Sequence, residues 1–242
     1  MEIIAHKTNS IYSGILSAKK QNEKLFAVLI DPEDFDLETT EEFFRQLPSS
    51  TTHIFIGGST ASGLETAQVV AAVKAITALP VILFPGDYKQ ITTQADGILF
   101  LSLISGRNPE YLIEQQIKSV QKLKDTGIQI IPTGYILING GNKTAVQEVS
   151  KTTPLEPTDI DTIVNTALAG EYTGKKIIYL EAGSGALNCV PYEVIAAVKK
   201  EISIPLIVGG GIRSKLKMQE IYKAGADMIV VGNAFEKGTN KI

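Results

Sequence analysis

Residues 205-PLIVGGGIRS-214 form a short apolar run that ends in glycines, and 228-MIVVGNA-234 repeats the pattern. Six similar runs precede them, each followed by Gly, Pro, Asp or Ser: 26-FAVLIDP-32, 53-HIFIGGS-59, 81-VILFPGD-87, 97-GILFLSL-103, 128-IQIIPTG-134 and 177-IIYLEAG-183. Runs that are apolar on both faces are typical of parallel strands covered by helices. The sequence therefore predicts eight buried strands.

Helix-length amphipathic stretches separate most of these runs, at 61–78, 109–125, 158–169, 191–201 and 214–224. Eight strands alternating with helices predict an α/β fold, a closed (β/α)₈ TIM barrel of the phosphate-binding type, with residues 1–242 as one domain. An open doubly wound sheet would normally show an early G-x-G-x-x-G turn. The early turn here is 30-IDPED-34, and the glycines cluster late.

Three other segments differ from the regular repeat. Residues 10–21 predict an extra helix that closes the barrel floor, whereas 88–95 is short for a helix. Residues 139–157 form the longest insertion and predict a long loop with about one helical turn.

Local signals also mark helix ends. Asn108 followed by Pro109 predicts an N-cap and a first helical residue. Gly127 and Gly225 fall where a helix end favours a left-handed residue.

Composition narrows the class of protein. The net charge is −3 and no Lys/Arg-rich run is present, so a nucleic-acid partner is not expected. Cys189 is the only cysteine, so an intrachain disulfide and a Cys/His zinc site are excluded. No apolar run approaches the ~18 residues of a membrane span. We therefore expect a cytoplasmic protein without a transmembrane segment.

Glycine-rich turns follow the last three strands: 183-GSG-185, 209-GGGIRS-214 and 232-GN-233. Backbone N–H groups in such turns can approach an anion closely, and barrels of this type bind phosphate after strands seven and eight. Three consecutive turns favour a phosphate site over glycines that only make tight connections. Arg213 either contacts the phosphate or faces solvent.

Oxygen-bearing side chains follow the first two strands. Asp31 suits Mg²⁺, and Ser59 or Thr60 offers a neighbouring hydroxyl. These ligands are too few alone, so a substrate diphosphate would supply the rest. Asp31 could instead be a turn residue before Pro32, and Ser59 the N-cap of a helix that begins near residue 61.

Glu181 ends the sixth strand beside the phosphate turns, where a carboxylate could act as a base on a ligand hydroxyl. Tyr179 lies two residues earlier and should point to the same side. The structural alternative is a glutamate paired with a lysine. Neither histidine looks catalytic, because His53 opens its strand at the opposite end and His6 lies in the N-terminal segment.

The stretches 29-LIDPED-34, 56-IGGST-60, 132-PTGYILI-138, 179-YLEAGSGA-186, 208-VGGGIRS-214 and 229-IVVGNA-234 resemble those of geranylgeranylglyceryl phosphate synthases, which are (β/α)₈ prenyltransferases. The resemblance spans nearly the whole chain. It implies transfer of a geranylgeranyl group, or another prenyl group, from its diphosphate to sn-glycerol 1-phosphate, with Mg²⁺ as cofactor. It also implies a homo-oligomer.

The resemblance further assigns residues. Asp31 and Ser59 (or Thr60) match the Mg²⁺ ligands, and Glu181 matches the catalytic base. The glycerol phosphate site matches Tyr179, Leu180, Glu181, Ala182, Gly183, Ser184, Gly185, Gly210, Gly211, Gly232 and Asn233.

A prenyl donor also needs an apolar groove, for which 81-VILF-84 and 97-GILFLSLI-104 are candidates, with a mobile loop near Gly106. The Ala-Gly-Ser-Gly run at 182–185 favours the geranylgeranyl branch of the family over the heptaprenyl branch. Three alternatives stay open on the same barrel: a sugar-phosphate isomerase or lyase, an FMN-binding barrel, and a phosphate sensor without catalysis.

Overall fold

Eight parallel strands close into a barrel in the computed structural model, which describes residues 10–232. Neighbours pair in chain order, and β1 pairs with β8 to complete the ring. The strands are β1 Leu25–Ile30, β2 His53–Ile56, β3 Val81–Leu83, β4 Gly97–Leu103, β5 Gln129–Leu137, β6 Ile177–Glu181, β7 Leu206–Gly209 and β8 Met228–Val231. The predicted barrel is confirmed, and the open doubly wound sheet is excluded. His6 lies outside the described residues.

The helices pack on the outside of this barrel, except for α1 at its floor. They are α1 Ile11–Gln21, α2 Thr40–Gln46, α3 Gly63–Ile76, α4 Gln115–Leu123, α5 Ala145–Ser150, α6 Ile160–Tyr172, α7 Tyr192–Glu201 and α8 Lys215–Ala224. A π-helical turn, Glu110–Glu114, leads into α4. Within residues 10–232, no helix combines the length and apolarity that a membrane crossing requires.

The predicted floor helix is confirmed. Ile15 and Ala18 of α1 are buried in the same cluster as Phe55 and Leu99, whose side chains fill the barrel interior. The backbone N–H of Tyr12 donates to the Gln129 side chain over 3.0 Å, which ties α1 to the start of β5. The barrel is therefore closed at this end and open at the carboxyl ends of its strands.

Two of the predicted helix ends are confirmed, the one at Gly127 is wrong, and the alternative role of Ser59 as a helix cap is excluded. Oδ1 of Asn108 accepts from the backbone N–H of Glu110 over 3.1 Å, and Gly225 has φ of 121°. The left-handed residue before β5 is Asp125, with φ of 60°, rather than Gly127. Ser59 does not cap α3 either.

Ser62 caps α3 in a capping box. Its hydroxyl accepts from the N–H of Glu65 over 3.2 Å, and the Glu65 carboxylate accepts from the Ser62 N–H over 2.8 Å. Two of the N–H donors that a helix start leaves unpaired are satisfied in this way. The helix therefore starts at Gly63, two residues later than predicted, and Ser59 stays in the preceding turn.

No helix connects β3 to β4. A 3₁₀ turn, Tyr88–Gln90, takes its place, as the short predicted connector indicated. The outer face of β4 consequently lacks a cover on this side, and Ile98 and Phe100 border a cavity there. The insertion at 139–157 contains α5 and joins the barrel edge through a parallel bridge between Ile138 and Leu155.

Candidate active site

A cavity of about 610 Å³ opens at the carboxyl ends of the strands. It brings together residues that follow strands adjacent around the barrel, from β6 through β8 to β1 and β2. The predicted site residues that line it are Asp31, Ser59, Tyr179, Glu181, Ser184, Gly185, Gly210, Gly211 and Gly232. Active sites of (β/α)₈ barrels lie at this face.

Glu181 is a buried carboxyl in this cavity. The residue is 6% exposed, and its Oε1 accepts a hydrogen bond from the N–H of Gly183 over 2.6 Å. Burial raises the pKa of Glu181 to about 7, although the Gly183 N–H and the neighbouring Tyr179 hydroxyl oppose that rise. A carboxylate with a pKa near the working pH is suited to accept a proton.

Two glycines of β7 and its turn press against this carboxylate. A Cβ atom at Gly209 would lie 2.7 Å from Oε2 of Glu181 and would collide with the Tyr179 hydroxyl. A Cβ atom at Gly210, where φ is 85°, would collide with Oε1. The glycines of this turn therefore leave room for the glutamate, in addition to any contact with a phosphate.

If Glu181 is the catalytic base that the resemblance implies, we expect Gly209→Ala to lower kcat/KM by about tenfold, because the added methyl group displaces the carboxylate. The matched control is Gly127→Ala, since a Cβ there meets nothing within 4 Å. Steady-state kinetics on both variants make the comparison. Equal activity of the two variants would show that the glutamate tolerates displacement.

Tyr179 has an unusual hydroxyl. It is fully buried beside the Glu181 carboxylate, and its contact with that carboxylate falls short of a well-formed hydrogen bond. Burial raises the pKa of Tyr179 well above its usual value, with the Glu181 charge adding to the rise, so the phenol stays protonated. A buried donor without a partner is destabilising unless a ligand satisfies it. Binding of a ligand oxygen by the Tyr179 hydroxyl stays a prediction.

Tyr135 also belongs to this site, and the sequence interpretation missed it. Its ring lies 5.4 Å from that of Tyr179 and 6.0 Å from that of Phe84, and it lines the cavity. The predicted strand ended at Gly134, whereas β5 continues to Leu137. Strand alternation carried three residues further would have placed Tyr135 on the interior face.

The acidic half of the site follows β1 and β2. Asp31 and Ser59 both line the cavity, and the Asp31 carboxylate rests directly against the Cα of Gly58. The Thr60 hydroxyl instead donates to the Glu33 carboxylate, so the geometry favours Ser59 as the hydroxyl that faces a ligand. Burial raises the pKa of Asp31, partly offset by the Glu33 N–H.

These residues fit a metal only if a ligand brings most of the metal's coordination. Within the described residues, no group of three or more His, Cys, Asp or Glu side chains could hold a metal ion. One carboxylate and one hydroxyl suit Mg²⁺, which usually keeps waters and substrate phosphate oxygens among its ligands.

Fewer side chains line the phosphate half of the cavity than the resemblance implied. The side chains of Leu180 and Ala182 are buried in the outer core that packs against the helices. The Gly183 N–H is already used by Glu181. Those three positions would contribute through remaining backbone groups alone, which leaves Ser184, Gly185, Gly210, Gly211 and Gly232 at the cavity wall. Asn233 lies outside the described residues.

Arg213 is exposed, as one of its two alternatives held, and its side chain also bonds the turn after β6. Its guanidinium donates to the carbonyl of Ala186 over 2.8 Å and to that of Gly185 over 3.3 Å. It thus braces the β6 turn from the β7 side while lining the cavity. His53 lies at the other end of the barrel, as predicted, and burial lowers its pKa to about 4.

The cavity continues as an apolar groove between β4 and α4. Its lining there includes Ile91, Ile98, Phe100, Tyr111, Gln116 and Ser119, with Val146 and Val149 of α5 on another side. The loop near Gly106 is held to the insertion, because Nδ2 of Asn108 donates to the Ser150 carbonyl over 2.9 Å and Gly106 packs on Thr152. It is therefore anchored rather than free over the groove.

The fold and the site together define a (β/α)₈ barrel in which a glycine-lined rim after β6–β8 and an acidic turn after β1 open into one apolar groove. Comparison of the sequence with protein families agrees with that class and assigns the chain to one family within it. Residues 18–242 match the PcrB family. The chain belongs to the PcrB family.

Related proteins and solved structures resemble the chain over nearly its whole length. It is 58% identical to the geranylgeranylglyceryl phosphate synthase of Zunongwangia profunda, over 96% of this chain and 99% of that protein. It is 42% identical to the protein of the same name from Thermococcus gammatolerans, over 90% and 87%. The crystal structure of (S)-3-O-geranylgeranylglyceryl phosphate synthase from Thermoplasma acidophilum with sn-glycerol-1-phosphate superposes with a TM-score of 0.88, at 34% identity, covering 96% of this chain and 94% of that one.

Proposed function

We propose that the protein transfers a geranylgeranyl group from geranylgeranyl diphosphate to the C3 hydroxyl of sn-glycerol 1-phosphate and releases diphosphate. The observation that carries the proposal is one cavity that joins a glycine-lined rim, a buried carboxylate with a pKa of about 7 and an apolar groove. The names of the relatives support the same reaction. Sn-glycerol-1-phosphate is bound by the related Thermoplasma enzyme.

In the proposed reaction, the C3 oxygen of the glycerol phosphate attacks C1 of the prenyl group as the bond from C1 to the diphosphate oxygen breaks. The electron pair of that bond leaves with the diphosphate. The hydroxyl proton passes to the Glu181 carboxylate, which the Gly183 N–H orients. The Tyr179 hydroxyl, buried beside it, would bind an oxygen of the glycerol phosphate.

Charge balance supports Mg²⁺ as the cofactor. Among the described residues that line the cavity, the acidic side chains are Asp31, Asp87 and Glu181, and the one basic side chain is Arg213. Such a wall disfavours two phosphorylated ligands unless a cation accompanies them. When held by Asp31, Ser59 and the substrate diphosphate, Mg²⁺ would neutralise the departing diphosphate.

The groove between β4 and α4 fits the donor's hydrocarbon chain, because its wall is mostly aliphatic and aromatic. A donor series of prenyl diphosphates tests this assignment. We expect the geranylgeranyl donor to have the highest kcat/KM. A higher value for the heptaprenyl donor would instead assign the chain to the other branch.

Two other barrel functions lead to different observations. An FMN-binding barrel would purify with flavin absorption in the visible range, which we do not expect. An isomerase or lyase would convert a sugar phosphate without a prenyl donor.

We also propose a cytoplasmic location and a homo-oligomer. Light scattering would measure the molar mass of the oligomer. Two exposed apolar side chains on α4, Ile117 and Val120, are candidates for subunit contacts.

Activity should rise with pH through about 7, because Glu181 acts as a base only when ionised and burial raises its pKa to about 7. A profile of kcat/KM from about pH 5.5 to 9 measures this. The second ionisation of a phosphate ester lies near pH 6, so glycerol phosphate binding is measured across the same range. A rate that is flat while binding stays constant would remove Glu181 as the base.

A further inference from the structure

Gln90 is a buried amide with no role in the proposed chemistry. It ends the 3₁₀ turn Tyr88–Gln90, which stands where the barrel's other connections have a helix, and it is 1% exposed. Buried side-chain amides are retained where they satisfy specific hydrogen bonds, because an unsatisfied one is destabilising.

The Gln90 side chain makes three hydrogen bonds. Oε1 accepts from the N–H of Gly86 over 2.9 Å, and Nε2 donates to the carbonyls of Gly58 and Ala61, each over 2.9 Å. Reversing the amide would place its carbonyl against two carbonyls and its NH₂ against an N–H. These partners therefore fix the orientation of the side chain.

The two acceptors lie on either side of Ser59. Gly58 precedes it and Ala61 follows Thr60, so the Gln90 amide spans the turn that carries the predicted metal-side hydroxyl. Gln90 consequently determines how far the turn stands from the strand ends.

The turn is packed tightly on both sides. A Cβ atom at Gly86 would lie 2.5 Å from the Gly58 carbonyl oxygen and 3.0 Å from the Cα of Ser59. On its other side, Gly58 lies against the Asp31 carboxylate. A shift of the turn would therefore displace Asp31 and Ser59 together.

The glycerol phosphate half is positioned by different contacts. Glu181 is held by the Gly183 N–H and packed between the glycines of β7 and its turn. We propose that Gln90 is a positioning residue that sets the Asp31–Ser59 geometry and thereby governs affinity for the Mg²⁺–diphosphate group of the donor. The proposal rests on the function proposed above and predicts that glycerol phosphate binding is independent of Gln90.

Calorimetric binding of inorganic diphosphate in the presence of Mg²⁺ tests this without requiring turnover. In Gln90→Met, which keeps the volume and removes all three hydrogen bonds, we expect Kd to rise about tenfold. The KM for the prenyl donor should rise by a similar factor. The Kd for sn-glycerol 1-phosphate should stay within about twofold, because that half of the site is separate. Gln129→Met is the control, since Gln129 accepts from Tyr12 at the barrel floor.

Gly86→Ala is a second variant that keeps the Gln90 amide but pushes on the same turn. We expect it to reproduce the selective loss of diphosphate binding. Parallel weakening of both ligands, or unchanged diphosphate binding in folded Gln90→Met and Gly86→Ala, would overturn the proposal. Failure of the prenyltransferase reaction is distinguishable, because the wild-type chain would then bind Mg²⁺–diphosphate in a Gln90-dependent way and still form no product.

Discussion

Glu181→Gln should lower kcat by about 10²–10⁴-fold, the usual contribution of a general base, while sn-glycerol 1-phosphate still binds. Glutamine has the same shape, and its side-chain oxygen can still accept from the Gly183 N–H. It cannot take the proton of the C3 hydroxyl. Steady-state turnover and calorimetric binding on the same preparation separate the two effects.

The same substitution should stabilise the fold at higher pH. Burial raises the pKa of Glu181 from 4.5 to about 7. Between these pH values the Glu181 carboxyl is therefore ionised in the unfolded chain and protonated in the folded chain. Wild-type stability therefore falls as pH rises from about 4.5 to 7, and the deficit persists above 7. We expect Glu181→Gln to gain on the order of 2 kcal/mol above pH 7 and nothing below pH 4.5.

Calorimetric melting across pH measures this gain. Glu193→Gln, an exposed position on α7, is the control and should show no such dependence. A glutamine variant that retains turnover would remove Glu181 from the mechanism. One that loses turnover without the gain in stability would mean that a bound cation or ligand already compensates the buried charge.

Asp31→Asn should lower kcat/KM for the prenyl donor by at least about 100-fold. The substitution removes the carboxylate that lines the acidic half of the site in the turn after β1. The amide preserves size but supplies no anionic oxygen to Mg²⁺. The Mg²⁺ concentration for half-maximal rate should rise as well. Binding of sn-glycerol 1-phosphate should change by about twofold or less, because its groups lie on β6–β8.

Asp34→Asn is the matched control, because Asp34 is an exposed acid in the same turn. Titrations of Mg²⁺ and of each substrate measure the three effects in one assay. Equal loss of affinity for both substrates would indicate a general distortion of the rim. An unchanged Mg²⁺ requirement would move the metal away from Asp31.

The sequence was informative wherever a single physical requirement dominates. Continuous apolar runs predicted all eight strands, since both faces of a covered parallel sheet are buried. Late glycines predicted the glycine-lined rim of the cavity, and the end of β6 located Glu181 on it. These features depend on local composition and on the direction of the barrel strands, both of which can be inferred from the sequence alone.

The sequence was less informative where contacts between distant segments decide the outcome. In the sequence, Gln90 is a polar residue in a short connector with no visible role. The carbonyls to which its side chain donates lie about 30 residues earlier, at Gly58 and Ala61. Tyr135 was not predicted as a site residue because Pro132 and Gly134 suggested that the strand ends before it. Pairing with β4 and β6 extends β5 through that proline and glycine.

The central claim is that one rim joins a phosphorylated glycerol to a prenyl group. The most direct measurement incubates the full chain with radiolabelled sn-glycerol 1-phosphate, geranylgeranyl diphosphate and Mg²⁺, then extracts the mixture with organic solvent. We predict that label enters the organic phase with wild-type protein, and that Glu181→Gln and Mg²⁺ removal abolish the transfer. Label that stays in the aqueous phase with every prenyl donor, from shorter to longer than geranylgeranyl, would contradict the claim.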